Sequence, residues 1–573
     1  MSKENSLGWG FAVRGKVEVS VVKGFPSTMM DDYQLNVIKV LENAAKIYGK
    51  KEVVSRRVSD GSIFRYTYKD AWERVQRAAN FLVNELEVKP GDRVGVIGWN
   101  THRFFELYYA VPGIGAVVHE INLRLSPDDL VYIINHAGDK VLFLDDGLVR
   151  LLVEGIKDRL ETVEKFVVMS DSKEVETSLK PAYNYEALMD SAKPSFKFPV
   201  IDERSGAAMC YTTGTTGRPK GVVYSHRALI LHSIVAGLPS TINVSEKDAM
   251  LVLVPMFHVN AWGMPYGAPA VGAKLIFPAQ FYAPDMILEL IEKEKATIAA
   301  SVPTIWIMVV DYLKKTGKKV DLTGLKVVFG GSEPPLALMK ALAEMGATVQ
   351  HAWGMTETTP LGTANIIKSY LEETLSEEER WKLMTKQGLA APLLEIKIVD
   401  EAGNELPWDG KTPGELLIRG PWVTKSYYND ERSKDALLDG WFRTGDIATI
   451  DPEGYVKIVD RAKDLIKSGG EWISSVDLEN AIMAHPGVKE AAVIAVKHPK
   501  WQERPLAVVV PRDEYKGKLT KEEIIEFIRP KFAKWWLPDD VIFVNEIPKT
   551  SVGKFDKKVL RERYKDYKLP TAE

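Results

Sequence analysis

Residues 212–221 have the composition of a loop that holds a polyphosphate. Hydroxyl groups can donate to phosphate oxygens, and glycines without a Cβ let the backbone approach an anion closely. Lys220, near the end of the segment, adds a mobile positive charge. The hydroxyls and glycines come from Thr212, Thr213, Gly214, Thr215, Thr216 and Gly217.

The chain on either side predicts how this loop is held. Residues 207–211 are apolar and predict a buried strand, a second apolar run follows the loop, and Ser225 is a candidate helix cap. A path from strand through loop to helix points backbone N–H groups outward, toward an anion. It is not a Walker loop, because Lys220 is followed by Gly221 rather than by Ser or Thr. The alternative is that residues 212–221 form an ordinary solvated turn.

The bulk composition is that of a large globular protein. With 573 residues the chain exceeds what one hydrophobic core usually serves, so we expect at least two domains. The formal net charge of -3 offers no basic surplus for nucleic acid, which argues against that partner. Cys210 is the only cysteine, which excludes an intramolecular disulfide and a cysteine-rich metal cluster and fits a reducing compartment.

The N-terminal residues carry no targeting pattern. Residues 1–14 lack a basic stretch followed by an apolar one. In the rest of the chain no apolar run reaches the length of a membrane span. We therefore expect a cytoplasmic protein without an integral membrane segment.

Between about residues 92 and 331, short apolar runs alternate with amphipathic stretches. Runs that are apolar on both faces are typical of strands covered on both sides by helices. Residues 69–86 and 284–294 have helical spacing, with Pro284 at a favoured first-turn position. The sequence therefore predicts an α/β fold with layered subdomains. The apolar runs are residues 94–97, 141–144, 167–168, 251–254, 274–277 and 327–329.

The pattern changes after Gly388. Residues 395–400 and 414–419 alternate polar with apolar around a turn-rich stretch, which predicts a small β-barrel-like subdomain at about 388–460. Farther on, apolar runs at 491–496, 506–510 and 541–544 surround helical residues 521–532, and roughly 110 residues suffice for a small α+β domain. We therefore divide the chain into an N-terminal domain, residues 1–460, and a C-terminal domain, residues 461–573.

The loop at residues 212–221 resembles the signature loop of the adenylate-forming superfamily, which includes acyl-CoA synthetases, luciferases and nonribosomal peptide adenylation domains. The likeness spans most of the chain. It implies an enzyme that binds ATP, Mg²⁺ and coenzyme A and has a mobile C-terminal domain. Within the loop, it gives Thr212 a metal contact.

Two further segments resemble the family's adenine and phosphate contacts. Residues 351–358 are similar to a motif in which an aromatic ring stacks on adenine, a threonine contacts phosphate and a glutamate binds magnesium. Those roles fall on Trp353, Thr356 and Glu357, and one carboxylate suffices for Mg²⁺ beside phosphates and water. Residues 330–335 resemble the adenine-contacting turn. The other nucleotide contacts implied here are Gly331, Ser332, Glu333, Pro334, His351 and Ala352.

The segments after the β subdomain resemble the family's ribose and hinge motifs. Asp446 matches the residue that accepts hydrogen bonds from both ribose hydroxyls, and Arg461 matches a second ribose contact. Lys463 stands at the pivot of the hinge. Two further residues, Lys467 and Trp472, match positions that contact the nucleotide in fatty-acyl synthetases.

Residues 548–557 resemble the C-terminal catalytic-lysine motif, which gives that role to Lys554. In such enzymes a substrate carboxylate attacks the α-phosphorus of ATP, and the lysine would bridge the two groups. Magnesium on Glu357 and the threonine-rich loop would hold the departing pyrophosphate. The C-terminal domain then rotates about the hinge so that a thiolate can attack the acyl adenylate.

Residues 257–262 mix rings with small side chains, as expected where a strand end lines an apolar pocket. They resemble a fatty-acyl synthetase segment in which a tryptophan, here Trp262, gates the acyl tunnel, with His258 and Val259 beside it. Gly354 stands where acetate-type synthetases carry a bulky tryptophan. Because each buried methylene contributes about 0.8 kcal/mol, an open tunnel favours medium or long chains.

Several alternatives stay open. A short hydroxy acid such as hydroxybutyrate would also fit an open tunnel, and the acceptor could be something other than coenzyme A. No carrier domain is evident after Lys554, which argues against a carrier-loading module. A non-catalytic ATP-binding protein is a remote alternative. Resemblance to bacterial fatty-acyl synthetases implies a homodimer.

Overall fold

The computed structural model describes residues 21–212, 218–468, 471–551 and 553–572. Thr213, Gly214, Thr215, Thr216 and Gly217, which the sequence assigns to phosphate binding, lie outside the described residues. Across the described ranges, no helix combines the length and the apolar character that crossing a membrane requires.

Two large sheets form the body of the N-terminal domain. In the first, described strands run parallel at its centre and antiparallel at both edges. Their spatial order is Leu389–Ala390, Leu361–Ala364, Thr348–Gly354, Lys326–Phe329, Ile298–Ser301, Ala249–Val252, Lys274–Phe277, Glu52–Arg56 and Ile63–Thr67. The second has the order Ala182–Asn184, Lys165–Met169, Asp139–Asp145, Arg93–Ile97, Val117–Glu120, Gly206–Tyr211 and Gly221–Ser225.

Helices cover the faces of both sheets, as the apolar character of the strands requires. Tyr68–Asn84 begins with a capping box between Thr67 and Asp70 and buries Val75, Ala79 and Leu82. The described helices of this domain are Ile38–Ile47, Tyr68–Asn84, His102–Gly113, Pro127–Ala137, Tyr185–Ser191, His226–Ala236, Met264–Val271, Pro284–Glu294, Pro303–Thr316, Leu336–Glu344, Ser369–Thr374 and Glu377–Thr385.

A third, antiparallel sheet forms the expected β subdomain. It orders Glu395–Val399, Gly414–Arg419, Trp441–Ile450 and Leu437–Leu438, and Val456–Arg461 pairs with the long Trp441–Ile450 strand. Residues Ile396, Ile398, Leu416 and Ile418 are buried in the same core as the two large sheets. The subdomain therefore packs on the body of the domain.

The C-terminal part is built around a fourth sheet with helices against it. Gln502–Pro511 pairs with Val488–His498 and, in parallel, with Asp540–Phe543. Ile466–Ser468 and Glu471–Ile473 extend the sheet. Separate apolar clusters cover the two faces of this sheet. The described helices are Ser475–Met483, Lys521–Ile528 and Lys557–Arg563.

The expected fold class is confirmed: layered α/β sheets with a β subdomain, and a small α+β C-terminal domain. Element boundaries differ from the sequence pattern where backbone chemistry intervenes. The helix predicted over residues 521–532 is α-helical only to Ile528, because Pro530 cannot donate a backbone hydrogen bond, and a short 3₁₀ turn follows. The strand expected over residues 251–254 ends at Val252.

Candidate functional site

A cavity of about 1020 Å³ lies at the carboxyl ends of the first sheet's strands, where the β subdomain and the C-terminal domain meet them. Most of the described residues that the sequence assigns to nucleotide and acid binding line it. Of those assigned residues, Pro334, Lys467 and Trp472 are not part of its lining. Instead, the Lys467 ammonium lies 4.7 Å from the Trp472 ring centre, across a strand pair.

The loop expected to hold phosphate connects two antiparallel strands, a pairing that was not predicted, whereas the predicted helix cap at Ser225 is confirmed. Gly206–Tyr211 pairs with Gly221–Ser225, and the helix His226–Ala236 begins only after that second strand, with Ser225 as its cap. Two hydrogen bonds close the base of the loop. The amide of Thr212 donates to the Lys220 carbonyl at 2.9 Å, and the amide of Lys220 donates to the Thr212 hydroxyl at 3.1 Å. Anion binding here therefore cannot rely on a helix N-terminus.

Tyr427 links the two charged groups beside this loop. Its hydroxyl donates to Oε1 of Glu357 at 2.8 Å, and its ring centre lies 3.9 Å from the Lys220 ammonium. Burial, followed by the nearby Glu357 charge, raises the pKa of Tyr427, so it stays a neutral donor. Nothing in the sequence pattern points to this residue, because a tyrosine in a loop is typical of ordinary packing. Only its contacts identify it.

Glu357 offers a donor set that fits magnesium. The carboxylate is buried, lines the cavity, and has one oxygen oriented by Tyr427. No group of three or more His, Cys, Asp or Glu side chains that could hold a metal occurs within the described ranges. A single protein carboxylate, completed by phosphate oxygens and water, is an arrangement that Mg²⁺ accepts.

Asp446 sits at the centre of a polar cluster in the cavity wall. Its Oδ1 pairs with Nε of Arg461 at 2.6 Å, and its Oδ2 accepts from the Trp353 indole at 2.9 Å. Asp446 and Arg461 face each other across the strand pair Trp441–Ile450 and Val456–Arg461. The sequence placed both residues at the ribose, and the indole contact joins that carboxylate to the expected adenine residue.

The turn after the strand Lys326–Phe329 approaches the nucleotide region with its backbone. Gly331 has a φ of +82°, which glycine adopts without strain. Glu333 pairs with Lys457 at 2.7 Å and accepts from the Asn480 amide at 2.9 Å. His351, on the next strand, is buried, and burial lowers its pKa to about 4. A neutral imidazole therefore lines the cavity.

Lys554 reaches from the C-terminal domain into this cavity. A Cβ added to Gly331 would stand 3.0 Å from Cε of Lys554, so the lysine lies along the turn. Burial and then the charge of Arg461 lower the pKa of Lys554 to about 8. Asn122 donates to the Ser551 hydroxyl at 2.7 Å, which fixes the lysine's loop on the N-terminal domain.

The segment expected to form the hinge makes contacts that join the two domains. Oδ2 of Asp460 accepts from the backbone amide of Ser475 at 2.8 Å, which connects the last strand of the β subdomain to the first described helix of the C-terminal domain. Asp464 pairs with Arg561. Lys463 lines the cavity, and burial lowers its pKa to about 8.

Part of the cavity lining, here called the arm, is mainly apolar, and Trp262 lines the same cavity. Its ring lies against Gly330, where an added Cβ would meet the indole at 2.6 Å. His258 is buried nearby, and burial, followed by the charge of Lys554, lowers its pKa to about 3. The residues of the arm are His232, Ser233, Ala236, Gly237, Ile242, Val244, Met250, Val254, Val259, Gly267 and Val328.

The neighbouring backbone requires glycine at position 354. A Cβ at this position would stand 2.1 Å from the carbonyl oxygen of Pro360, at a point where the strand pairing shifts register. From the sequence, Gly354 is predicted only to leave space for a longer acid. The close approach of Pro360 means that the residue is also required by the backbone.

The turn that carries Trp262 has a strained backbone. Val259, Asn260, Ala261 and Trp262 all have positive φ, which is costly for residues with a Cβ. The amide of Asn260 donates to Oε2 of buried Glu120 at 2.8 Å, and Cys210 donates to the same oxygen. This buried network holds the turn that positions Trp262.

Comparisons with known proteins agree with this geometry. The family model "AMP-binding enzyme" matches residues 41–428, and "AMP-binding enzyme C-terminal domain" matches residues 477–554. A long-chain-fatty-acid–CoA ligase from Thermus thermophilus is 52% identical, over 95% of this chain and 98% of the relative. A 3-methylmercaptopropionyl-CoA ligase from Ruegeria lacuscaerulensis is 43% identical, over 93% and 98%.

The fold agrees with a solved relative. The crystal structure of ATP-bound MatB from Rhodopseudomonas palustris superposes with a TM-score of 0.77 at 27% identity, covering 93% of this chain and all of that one. The family models together reach from the first described helix, Ile38–Ile47, to Lys554. The chain therefore belongs to the AMP-binding enzyme family.

Proposed function

We propose that the protein is an AMP-forming acyl-CoA ligase that converts a medium- or long-chain fatty acid, ATP and coenzyme A to acyl-CoA, AMP and pyrophosphate. One observation carries the proposal. Lys554 lines the same cavity as Lys220 and Glu357, and the mainly apolar arm belongs to that cavity too. A carboxylate at the mouth of that arm would lie between the lysine and a nucleotide.

In the first half-reaction a carboxylate oxygen forms a bond to the α-phosphorus of ATP, and the bond between that phosphorus and the bridging oxygen breaks to release pyrophosphate. Lys554 would hold both the carboxylate and the α-phosphate, so that attack needs little reorganisation. Lys220 would bind the departing phosphates. Mg²⁺ bound at Glu357 supplies positive charge that offsets the phosphate oxygens.

In the second half-reaction a thiolate attacks the acyl carbonyl, the C–S bond forms, and AMP leaves. Lys554 occupies the space beside Gly331 in the present arrangement. We expect the C-terminal domain to rotate about Lys463 and withdraw it. The proposed boundary lies between residues 1–460 and 461–573, where Asp460 bonds to Ser475 across the junction.

The apolar arm supports a fatty acid as the substrate. Its walls include Ala236, Ile242, Val244 and Met250, and each methylene buried there contributes about 0.8 kcal/mol. The Thermus relative is named for long-chain acids, whereas the Ruegeria relative is named for a short, substituted one. The apolar character of the arm favours the longer class.

The test is a panel of saturated acids of increasing length, with AMP formation measured in the presence and absence of coenzyme A. We expect sustained AMP formation only with coenzyme A, rising with chain length until the arm is full. Sustained AMP release without a thiol would contradict the assignment of the acceptor. A preference for acetate would contradict the assignment of the acid.

We further propose a homodimer in the cytoplasm. Within residues 21–33 the apolar side chains of Phe25, Met29 and Met30 are exposed, Phe25 at 98%. Such a strip is a usual sign of a protein interface. The single cysteine, Cys210, is buried and unpaired, which suits a reducing compartment. Sedimentation of the full chain should give twice the monomer mass, and replacing Phe25, Met29 and Met30 with serine should give the monomer.

A further inference from the structure

We propose that Asn480 is a positioning residue that holds the nucleotide turn, residues 330–335, in place while the C-terminal domain is docked for adenylation. The inference rests on the proposed function, because it assumes the domain rotation that follows adenylation. It goes beyond that function by naming a contact through which nucleotide binding and domain docking are linked.

Glu333 lies where the two domains meet. It belongs to the nucleotide turn, its side chain is 8% exposed, and it lines the cavity. Asn480 lies on the helix Ser475–Met483 of the C-terminal domain and lines the same cavity. The side-chain amide of Asn480 donates to Oε1 of Glu333 at 2.9 Å. A hydrogen bond therefore crosses from the C-terminal domain to the turn expected to contact adenine.

Lys457 adds a second bridge between the domains at this point. Its ammonium lies 2.7 Å from Oε2 of Glu333 and 3.3 Å from Oδ1 of Asp477, which is on the same helix as Asn480. Burial alone would lower the pKa of Lys457, but the charges of Glu333 and Asp477 outweigh burial and raise that pKa above its usual value. The lysine therefore stays charged and attracts a carboxylate from each domain.

The carboxylate of Glu333 is held at both oxygens. Oε1 accepts from Asn480 and from Lys457, each at 2.9 Å, and Oε2 accepts from the Gln387 amide at 3.3 Å as well as from the lysine. Lys457 and Gln387 belong to the N-terminal domain, so their bonds can persist when the C-terminal domain rotates. Asn480 is the partner that leaves, and docking of the domain is what restores it.

Lys554 approaches the same turn only two residues away. A Cβ added to Gly331 would stand 3.0 Å from Cε of Lys554. Lys554 and Asn480 lie on different elements of the C-terminal domain, so two separate parts of that domain hold one turn. A turn that is already fixed loses less freedom when a nucleotide binds to it. By linkage, ATP binding and domain docking then favour each other.

The experiment uses three substitutions around this contact. Asn480→Ala removes the donor, and Asn480→Asp places a third carboxylate beside Lys457. Combining Asn480→Asp with Glu333→Gln exchanges donor and acceptor, so that a hydrogen bond can form again. Asn404→Ala is the matched control, because its amide bonds to the Asp400 carboxylate at 3.0 Å outside the cavity lining.

Four quantities are measured for each protein: Mg·ATP affinity by calorimetry, the rate of pyrophosphate release, the rate of acyl-CoA formation from supplied acyl adenylate, and the melting temperature. Asn480→Ala should weaken Mg·ATP binding about fivefold and slow pyrophosphate release about tenfold, with acyl-CoA formation unchanged. Asn480→Asp should release pyrophosphate more slowly still, and the exchanged pair should recover to within about threefold of wild type. Asn404→Ala should match wild type throughout.

Three results would overturn the proposal: wild-type Mg·ATP affinity in Asn480→Ala, equal slowing of both half-reactions in that variant, or an exchanged pair no faster than Asn480→Asp alone. A purely structural asparagine would give the second result together with a lower melting temperature. If no acid supports pyrophosphate release by the wild-type protein, the proposed function fails, whereas the Mg·ATP titrations still decide the role of Asn480.

Discussion

The hydroxyl of Tyr427 donates to Glu357 across 2.8 Å, and the face of the same ring lies 3.9 Å from the ammonium of Lys220. One side chain thus sets the positions of the carboxylate expected to hold magnesium and the cation expected to hold phosphate. Groups that orient a metal ligand typically change metal affinity or activity by about 10- to 100-fold when removed. We therefore expect Tyr427 to act as a positioning residue for the first half-reaction.

Tyr427→Phe keeps the ring under Lys220 and removes only the hydroxyl. We expect the Mg²⁺ concentration for half-maximal pyrophosphate release to rise about tenfold, with a smaller change at saturating Mg²⁺. Calorimetric titration of Mg·ATP binding gives a second readout. The control is Tyr370→Phe, which removes a hydroxyl bonded to Glu453 on the surface. An unchanged Mg²⁺ dependence in Tyr427→Phe would contradict the positioning role.

The pH dependence of adenylation should follow the protonation state of Lys554. Its pKa is lowered from the usual 10.5 to about 8 by burial and by Arg461. The charged ammonium is the form that can bind a carboxylate and a phosphate, and its fraction falls as pH rises through 8. We expect kcat/KM for adenylate formation to be level below pH 8 and to fall about tenfold per unit well above it.

A lysine-to-arginine change separates this group from Lys463, whose pKa is also lowered to about 8. Arginine stays charged throughout this pH range. Lys554→Arg should therefore lose the alkaline fall, whatever its absolute rate. A fall that persists in Lys554→Arg and disappears in Lys463→Arg would assign the titration to the hinge instead.

The ion pair between Arg512 and Asp311 joins the two domains in the present arrangement, with 2.6 Å between Nη1 and Oδ1. It is partly exposed, so it contributes at most about 1 kcal/mol. Asp311→Asn should slow adenylation by up to about fivefold and leave thioester formation from supplied acyl adenylate unchanged. Arg419→Gln, which breaks a pair within the β subdomain, is the control. Equal slowing of both half-reactions would count against a role in domain position.

A larger side chain on the helix His226–Ala236 should shorten the arm. Ala236 lines the cavity, whereas Ile234 on the same helix is 52% exposed on the other side. Ala236→Phe should lower kcat/KM for long acids by about fourfold for each methylene excluded, and spare short ones. Ile234→Phe should leave the length profile unchanged. Identical profiles for both variants would place the acyl chain elsewhere.

The layered sheets could be predicted from the sequence because strands covered on both sides must be apolar throughout. Glu395–Val399 and Gly414–Arg419 were also predicted, from alternation and from the turn-rich stretch between them. Only the first strand alternates in burial, since every residue of the second except Arg419 is buried. The pairing of Gly206–Tyr211 with Gly221–Ser225 was not predicted. The second strand is short and apolar, and periodicity alone does not show which strand such a run pairs with or in which direction.

Residues of the candidate site could be predicted only where a sequence motif assigns a role to a position. Asp446, Glu357 and Lys554 lie in one cavity, although they are far apart in sequence. Tyr427 was not found, because its significance lies in the groups that face it across the fold. Gly354 shows the converse case, since its closest neighbour is the backbone of Pro360. Close approaches of that kind depend on tertiary packing.

The most direct measurement is made on Lys554→Ala, with the two half-reactions assayed separately. The variant should lose adenylate formation by about 10² to 10³, measured as pyrophosphate release, because a positioned charge at the α-phosphate is gone. With acyl adenylate supplied, it should form acyl-CoA at the wild-type rate. Equal loss of both steps, in a variant with an unchanged melting temperature, would contradict the assignment of Lys554 to the first half-reaction alone.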